Sequence, residues 1–296
     1  MFASTDHTRS NWTPEIQHGS PPLALLTKFV EEALSAFGPP GMRIGRLSMD
    51  ILGAVPVADV AVRAWIERPG RRICLLVAEM TDPSTGRAVV RLTAWALATS
   101  DTADVALDRY PALIEGDTAP LEWQWRDTGG YLDTVQWRPQ HGESAGGSVY
   151  WLRPLAGLVD DEPTTPLQRL TMVVDSANGI GGVLDSQRFV YMNTDTTVHL
   201  HRLPSGSDFA VRARGSIGPD GIGMKGVSFP IWIGASFPFT TANVATGCSP
   251  NMPRISRTAG CAASSSSCKG WVVVRATRTS RLRELPSSPA KIGRAS

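Results

Sequence analysis

The run NTDTTVHLHR at 193–202 places two imidazoles, three hydroxyls, an amide and a carboxylate within ten residues. Thr197, His199 and His201 recur at every second position, with Val198 and Leu200 between them. That is the spacing of one face of a strand. His199 and His201 could ligate a metal, with Asp195 or Thr197 as further donors. A metal needs more well-placed ligands than two imidazoles, and no HExxH run or cysteine cluster accompanies them. The alternation reads better as polar residues on the outer face of a wrapped sheet, with Val198 and Leu200 inward. No metal and no other cofactor is expected.

A second group surrounds Asp175, in VVDSANG. A carboxylate that follows an apolar run and precedes small residues can orient and deprotonate a water. It can equally be a capping or solvated acid of a helix. Asn193 carries the same two readings, a site amide or a strand-edge amide. Gly19 and Ser20 open one helix, and Asn178 and Gly179 interrupt another. Orphan N–H groups at a helix start can polarise a carbonyl, and small residues let a ligand approach the backbone. His18 precedes the first helix and either lines such a site or caps it.

Other patterns carry less. GIGMKG at 221–226 fits GxGxxG but follows a turn and opens no helix, so it is not read as a dinucleotide site. SSCK at 266–269 lies in a serine run where chance matches are frequent. Trp123, Trp125 and Trp137, with Arg126 and Arg138, are read as packing rather than as a nucleic-acid stacking surface. Cys248, Cys261 and Cys268 match no zinc or redox spacing.

The elements that must position these groups follow from periodicity. Residues 18–37 read as a helix, with a proline pair in its first turn and Leu25, Leu26, Phe29, Val30, Ala33 and Leu34 along one face. FGPPG stops it. Strands are expected at 42–53, 59–68, 71–80 and 87–98, bounded by turn residues. Residues 100–147 read as an irregular linker. The pattern then restarts, with a strand at 148–153, a helix at 164–185 and strands at 188–202 and 208–217. AVRA occurs at 61–64 and again at 210–213, between similarly placed proline turns, which points to duplication.

Beyond Met224 the pattern breaks. Residues 221–296 hold ten basic residues and one acid, Glu284, against 19 basic and 26 acidic residues in the first 220. The stretch reads as an irregular basic tail, either disordered or translated out of frame. The expected layout is therefore an N-terminal unit at 1–99, a linker at 100–147, an incomplete second unit at 148–223 and the tail at 224–296. No run is apolar enough to span a bilayer, and the N-terminus lacks a signal-peptide pattern. A cytoplasmic chain without membrane or nucleic-acid partners is expected.

With QHGSPPLALL, MDILGAVPV, RPGRR, TTPLQRL, VVDSANG and NTDTTVHLHR, residues 11–223 resemble the acyl-CoA thioesterase-like superfamily, in the double hot dog branch related to bacterial type II enzymes. The resemblance implies an α+β fold in which two long helices are each wrapped by an antiparallel sheet. The two units join along sheet edges, and a homo-oligomer through such edges stays open. It implies hydrolysis of acyl-CoA to free acid and CoA without metal or covalent intermediate. The water would be held by an Asp on the second helix, a polar residue on the next strand and a Gln on the last strand. Carried onto this chain, the Asp is Asp175 and the polar residue Asn193, with Thr194 as its alternative. His18, Gly19, Ser20, Asn178 and Gly179 would line the substrate site. The Gln has no counterpart, since none follows Gln187. The competing expectation is therefore a hot dog protein that binds acyl-CoA without cleaving it.

Overall fold

The computed structural model describes residues 1–107, 113–121, 129–140, 147–182, 184, 189, 192–228 and 273–274. Its first long element is helix α1, Ser20–Phe37, with Pro21 and Pro22 in the opening turn. Proline there loses no hydrogen bond, because the first N–H groups have no partner within the helix. Leu23, Leu26 and Val30 are fully buried. The helix ends at Gly38, whose N–H returns to the Leu34 carbonyl, and Pro39–Pro40 cannot continue it.

A sheet wraps α1. After a short strand β1 (Phe2–Ala3) come β2 (Met42–Ile51), β3 (Asp59–Arg68), β4 (Ile73–Asp82) and β5 (Arg87–Ala98). Residues 59–68 and 87–98 are strands over the expected spans. Alternation is plain in β5, where Val90, Leu92, Ala94 and Ala96 are buried. All pairs are antiparallel, in the order β1-β3-β4-β5-β2.

The second half begins earlier than the sequence pattern suggested. Strand β6 (Val135–Pro139) lies inside the span read as linker, and pairs with β7 (Ser148–Pro154). Just before it, Tyr131 is 2 % exposed. The second helix is split into α2 (Pro166–Val174) and α3 (Ala177–Ile180). The break has a local cause. Ser176 N–H bonds the Val173 carbonyl, while the Met172 carbonyl accepts the Tyr131 hydroxyl instead. At its start, the Thr165 side chain and Gln168 form a reciprocal capping box.

Strand β8 (Asp195–His199) is shorter than the expected 188–202 and leaves its own unit. It pairs antiparallel with β2, Ser48 opposite Thr197, and so extends the first sheet. The hydroxyls of that pair are 2.9 Å apart. This is the sheet-edge junction expected between two units, and it covers the β2 edge. Strands β9 (Phe209–Ile217), β10 (Gly223–Ser228) and β11 (Val273–Val274) complete a second sheet in the order β11-β10-β9-β7-β6. β10 runs past residue 224, where the pattern was expected to break, because Lys225 and Val227 keep a buried alternation. Apart from that strand and β11, the tail lies outside the described residues.

The two long helices run side by side in opposite directions. Gly19 at the start of α1 meets Asp175 at the end of α2, and Glu31 late in α1 meets Thr165 and Gln168 at the start of α2. Their sequences repeat: Pro22, Leu23, Leu26, Thr27, Val30 and Ala33 recur 144 residues on as Pro166, Leu167, Leu170, Thr171, Val174 and Ala177. Both threonines donate to the carbonyl one turn back, Leu23 and Leu167 respectively. In this register Glu31 and Asp175 are counterparts.

Candidate active site

Asp175 closes α2 and is 6 % exposed. A carboxylate this deep is tolerated only when its oxygens are hydrogen-bonded. The Asn193 amide donates to Oδ1, and the Thr196 hydroxyl reaches the same oxygen at 3.4 Å. Asn193 Nδ2 also lies 3.4 Å from the Thr196 hydroxyl, so amide, hydroxyl and carboxylate form one triangle.

The opening of α1 faces the other oxygen. A Cβ added to Gly19 would lie 2.6 Å from Asp175 Oδ2. Gly19 is thus a close-approach glycine, and any side chain there must displace the carboxylate. His18 Nδ1 stands 3.7 Å from Oδ2. That nitrogen accepts the Ser20 N–H at 3.2 Å, and the ring stacks on Tyr131 at 3.9 Å between centroids. Burial lowers the imidazole pKa, against the pull of Asp175. Burial thus favours the neutral ring, and because Nδ1 accepts from Ser20, the proton of that form sits on Nε2. The Tyr131 hydroxyl is fixed by the Met172 carbonyl and the Ser176 hydroxyl, and burial raises its pKa.

The expected residues divide clearly. His18, Gly19, Asp175 and Asn193 converge. Ser20 is fully buried and contributes its backbone to His18. Asn178 N–H bonds the Asp175 carbonyl. Gly179 is exposed, with nothing within 4 Å of an added Cβ, so no packing requires a glycine there. Thr194 turns elsewhere: its hydroxyl donates to Asp195 at 3.1 Å. The hydroxyl at the carboxylate is instead that of Thr196, two residues on.

Thr196 was legible, because it falls on the inward face with Val198 and Leu200. Tyr131 carried no signal in a segment read as linker. Lys225 was also missed. It is 8 % exposed on β10, its ammonium donates to the Asn178 carbonyl, and burial pushes its pKa down to about 8, with Asp175 opposing. His199 lies on the outer face opposite Arg46, where burial and that charge lower its pKa. Trp137 packs edge-on to Tyr131 and donates to the Leu132 carbonyl, a structural use. Trp123 and Trp125 lie outside the described residues. Among the described residues, no helix is long and apolar enough to cross a membrane.

Two family models match the two halves of this architecture in turn. Residues 8–97 match the acyl-CoA thioesterase N-terminal domain, and residues 109–228 match the acyl-CoA thioesterase C-terminal domain. By sequence, the chain matches no curated protein. Solved structures share its fold. One is a conserved protein of unknown function with a hot dog fold from Alicyclobacillus acidocaldarius, with TM-score 0.55, 15% identity, and coverage of 77% of this chain and 86% of that one. Another is the acyl-CoA thioesterase II TesB2 of Mycobacterium marinum, with TM-score 0.55, 11% identity, and coverage of 74% and 86%. The tesB protein of Mycobacterium avium subspecies paratuberculosis aligns with TM-score 0.53 at 12% identity, covering 75% and 84%. At these identities the likeness establishes an α+β hot dog fold.

Proposed function

The chain belongs to the acyl-CoA thioesterase family, and on that premise we propose that it hydrolyses acyl-CoA thioesters with Asp175 as the group that activates water. The observation that carries this reading is the convergence of Asn193, Thr196, His18 and Gly19 on one buried carboxylate. Hydrolysis needs a water made more basic and a donor for the charge that develops on the carbonyl oxygen. Asn193 and Thr196 hold Oδ1, which leaves Oδ2 to take the proton of a water beside Gly19. At the opening of α1, Pro21 and Pro22 carry no N–H and that of Ser20 goes to His18. The Gly19 N–H is then the backbone donor best placed for the thioester oxygen. Water adds to the carbonyl as Asp175 receives its proton, and collapse of the tetrahedral adduct breaks the C–S bond. The expelled CoA thiolate takes the proton back from Asp175, leaving free thiol, free acid and the carboxylate restored.

A second reading, a hot dog protein that binds acyl-CoA without cleaving it, draws on a specific observation. The sequence contains no glutamine after Gln187, while the family resemblance expects one on the last strand. Incubation with a panel of acyl-CoAs, with release of free thiol followed by a chromogenic disulfide, separates the two. Thiol release above the uncatalysed rate supports hydrolysis; saturable binding of the same compounds without release supports the second reading.

A further inference from the structure

The internal repeat gives the Asp175 site a counterpart at the other end of the helix pair. Glu31 occupies on α1 the position that Asp175 occupies on α2. As Asp175 faces the opening of α1, Glu31 faces the opening of α2. Its carboxylate accepts the Thr165 hydroxyl at 2.9 Å and the Gln168 amide at 2.7 Å. A hydroxyl and an amide therefore hold this acid too, drawn from a helix start rather than from β8 and the residues just before it. Burial raises the Glu31 pKa against those two hydrogen bonds.

The acid is not sealed in packing. Beside it opens a solvent-facing groove of about 480 Å³, lined by Leu34, Met42, Ile44, Leu167 and Leu203 together with the polar Ser35 and Arg43. A concave groove of a few hundred Å³ that combines apolar side chains with a few convergent polar groups suits a small ligand. Arg43, on the same wall, is committed to the carbonyls of Leu200 and His201, at 3.3 and 2.6 Å. The wall is thereby tied to the turn after β8 rather than left to collapse.

We propose that this groove is a second acyl-thioester pocket, a non-hydrolysing counterpart of the Asp175 site that binds the acyl portion of the same class of substrate. The ligand class rests on the reading of the Asp175 site as an acyl-CoA site; the existence of the pocket rests on the repeat and the groove. It binds without cleaving because the strand residues differ. On β8 the buried inward residues are Thr196 and Val198, whereas on the paired strand β2 they are Leu47 and Met49. Among the described residues, no strand hydroxyl bonds Glu31, and the helix-start groups that hold it are already engaged in the capping box.

The test is calorimetric stoichiometry on the full chain with an S-alkyl-CoA thioether, which cannot be hydrolysed. Two equivalents per chain are expected. Ser35→Trp, at an exposed position of the groove lining, reduces the count to one, and Leu203→Trp, at another exposed lining position in the turn after β8, does the same with a different risk to folding. Gly19→Val removes the other equivalent. One equivalent in the unmodified chain, lost in Gly19→Val and untouched by either tryptophan, overturns the second pocket while the first stands. No binding at all overturns both.

Discussion

The two sheets are built to different ends. In the four main strands around α1, every buried side chain is apolar or glycine; Leu47, Met49, Leu76, Met80 and Leu92 are fully enclosed. In the described strands of the second half, Thr196 and Lys225 take inward positions. The contrast is sharpest at one pair. In the register set by the repeated AVRA, the inward Leu76 of β4 corresponds to Lys225 of β10. One unit fills its sheet with hydrocarbon and provides the helix start; the other places polar groups around Asp175. The first sheet is thus built for packing, while the second carries the buried polar groups near Asp175, and each sheet can be perturbed separately.

The largest expected effect comes where the halves touch. Gly19→Val puts side-chain atoms where Oδ2 of Asp175 now lies, and kcat/KM should fall at least about a hundredfold, read as thiol release at limiting substrate. Gly179→Ala serves as the contrast. With open space around it and a helical position, it should leave turnover within about twofold and raise thermal stability slightly.

Lys225 tests the stability half of the comparison. Its pKa, pushed to about 8 from 10.5, means that between those values the unfolded chain binds more protons than the folded one. Stability therefore rises with pH across that window, and below about pH 8 the whole cost is present, on the order of 3 kcal/mol. Lys225→Met should raise the denaturation midpoint at pH 7 and flatten the profile between pH 8 and 10.5. An unchanged profile would show that the second sheet tolerates this charge as readily as the first tolerates Leu76.

Thr196→Val keeps the shape but removes one hydrogen bond to Asp175, and a roughly tenfold loss of kcat is expected. Thr194→Val, whose hydroxyl serves Asp195, should cost less than Thr196→Val. The smallest effect belongs to His18. Burial lowers its folded pKa, so the unfolded chain takes the proton first as pH falls below about 6.5, and stability declines into acid. His18→Gln should remove part of that decline in urea midpoints measured between pH 5 and 7.

Much of this was legible because periodicity and punctuation agree in the first unit. The proline pair and FGPPG bracket α1, and strands at 59–68 and 87–98 match alternating runs between turn residues. The second helix was read through its break, since what splits it is Tyr131, brought from a segment without pattern. Asp175, Asn193, His18 and Gly19, singled out by residue type and family resemblance, are brought together by the fold. Thr196 was passed over for Thr194, although its place on the Val198 and Leu200 face marks it as inward. Lys225 could not be anticipated, because a lysine in a strand is ordinarily solvent-facing and only the fold reveals its burial. The counterpart relation of Glu31 and Asp175 lay in the sequence, but acquired meaning only when the helices were seen to run in opposite directions.

The most direct measurement compares the unmodified chain with Asp175→Asn for thiol release from acyl-CoA and, in parallel, for affinity toward a thioether analogue. An amide keeps the shape and hydrogen-bonding reach of the side chain but cannot take a proton from water. The account predicts that release falls by about a hundredfold or more while the analogue still binds within a fewfold of its original affinity. Release at an unchanged rate in Asp175→Asn would contradict it.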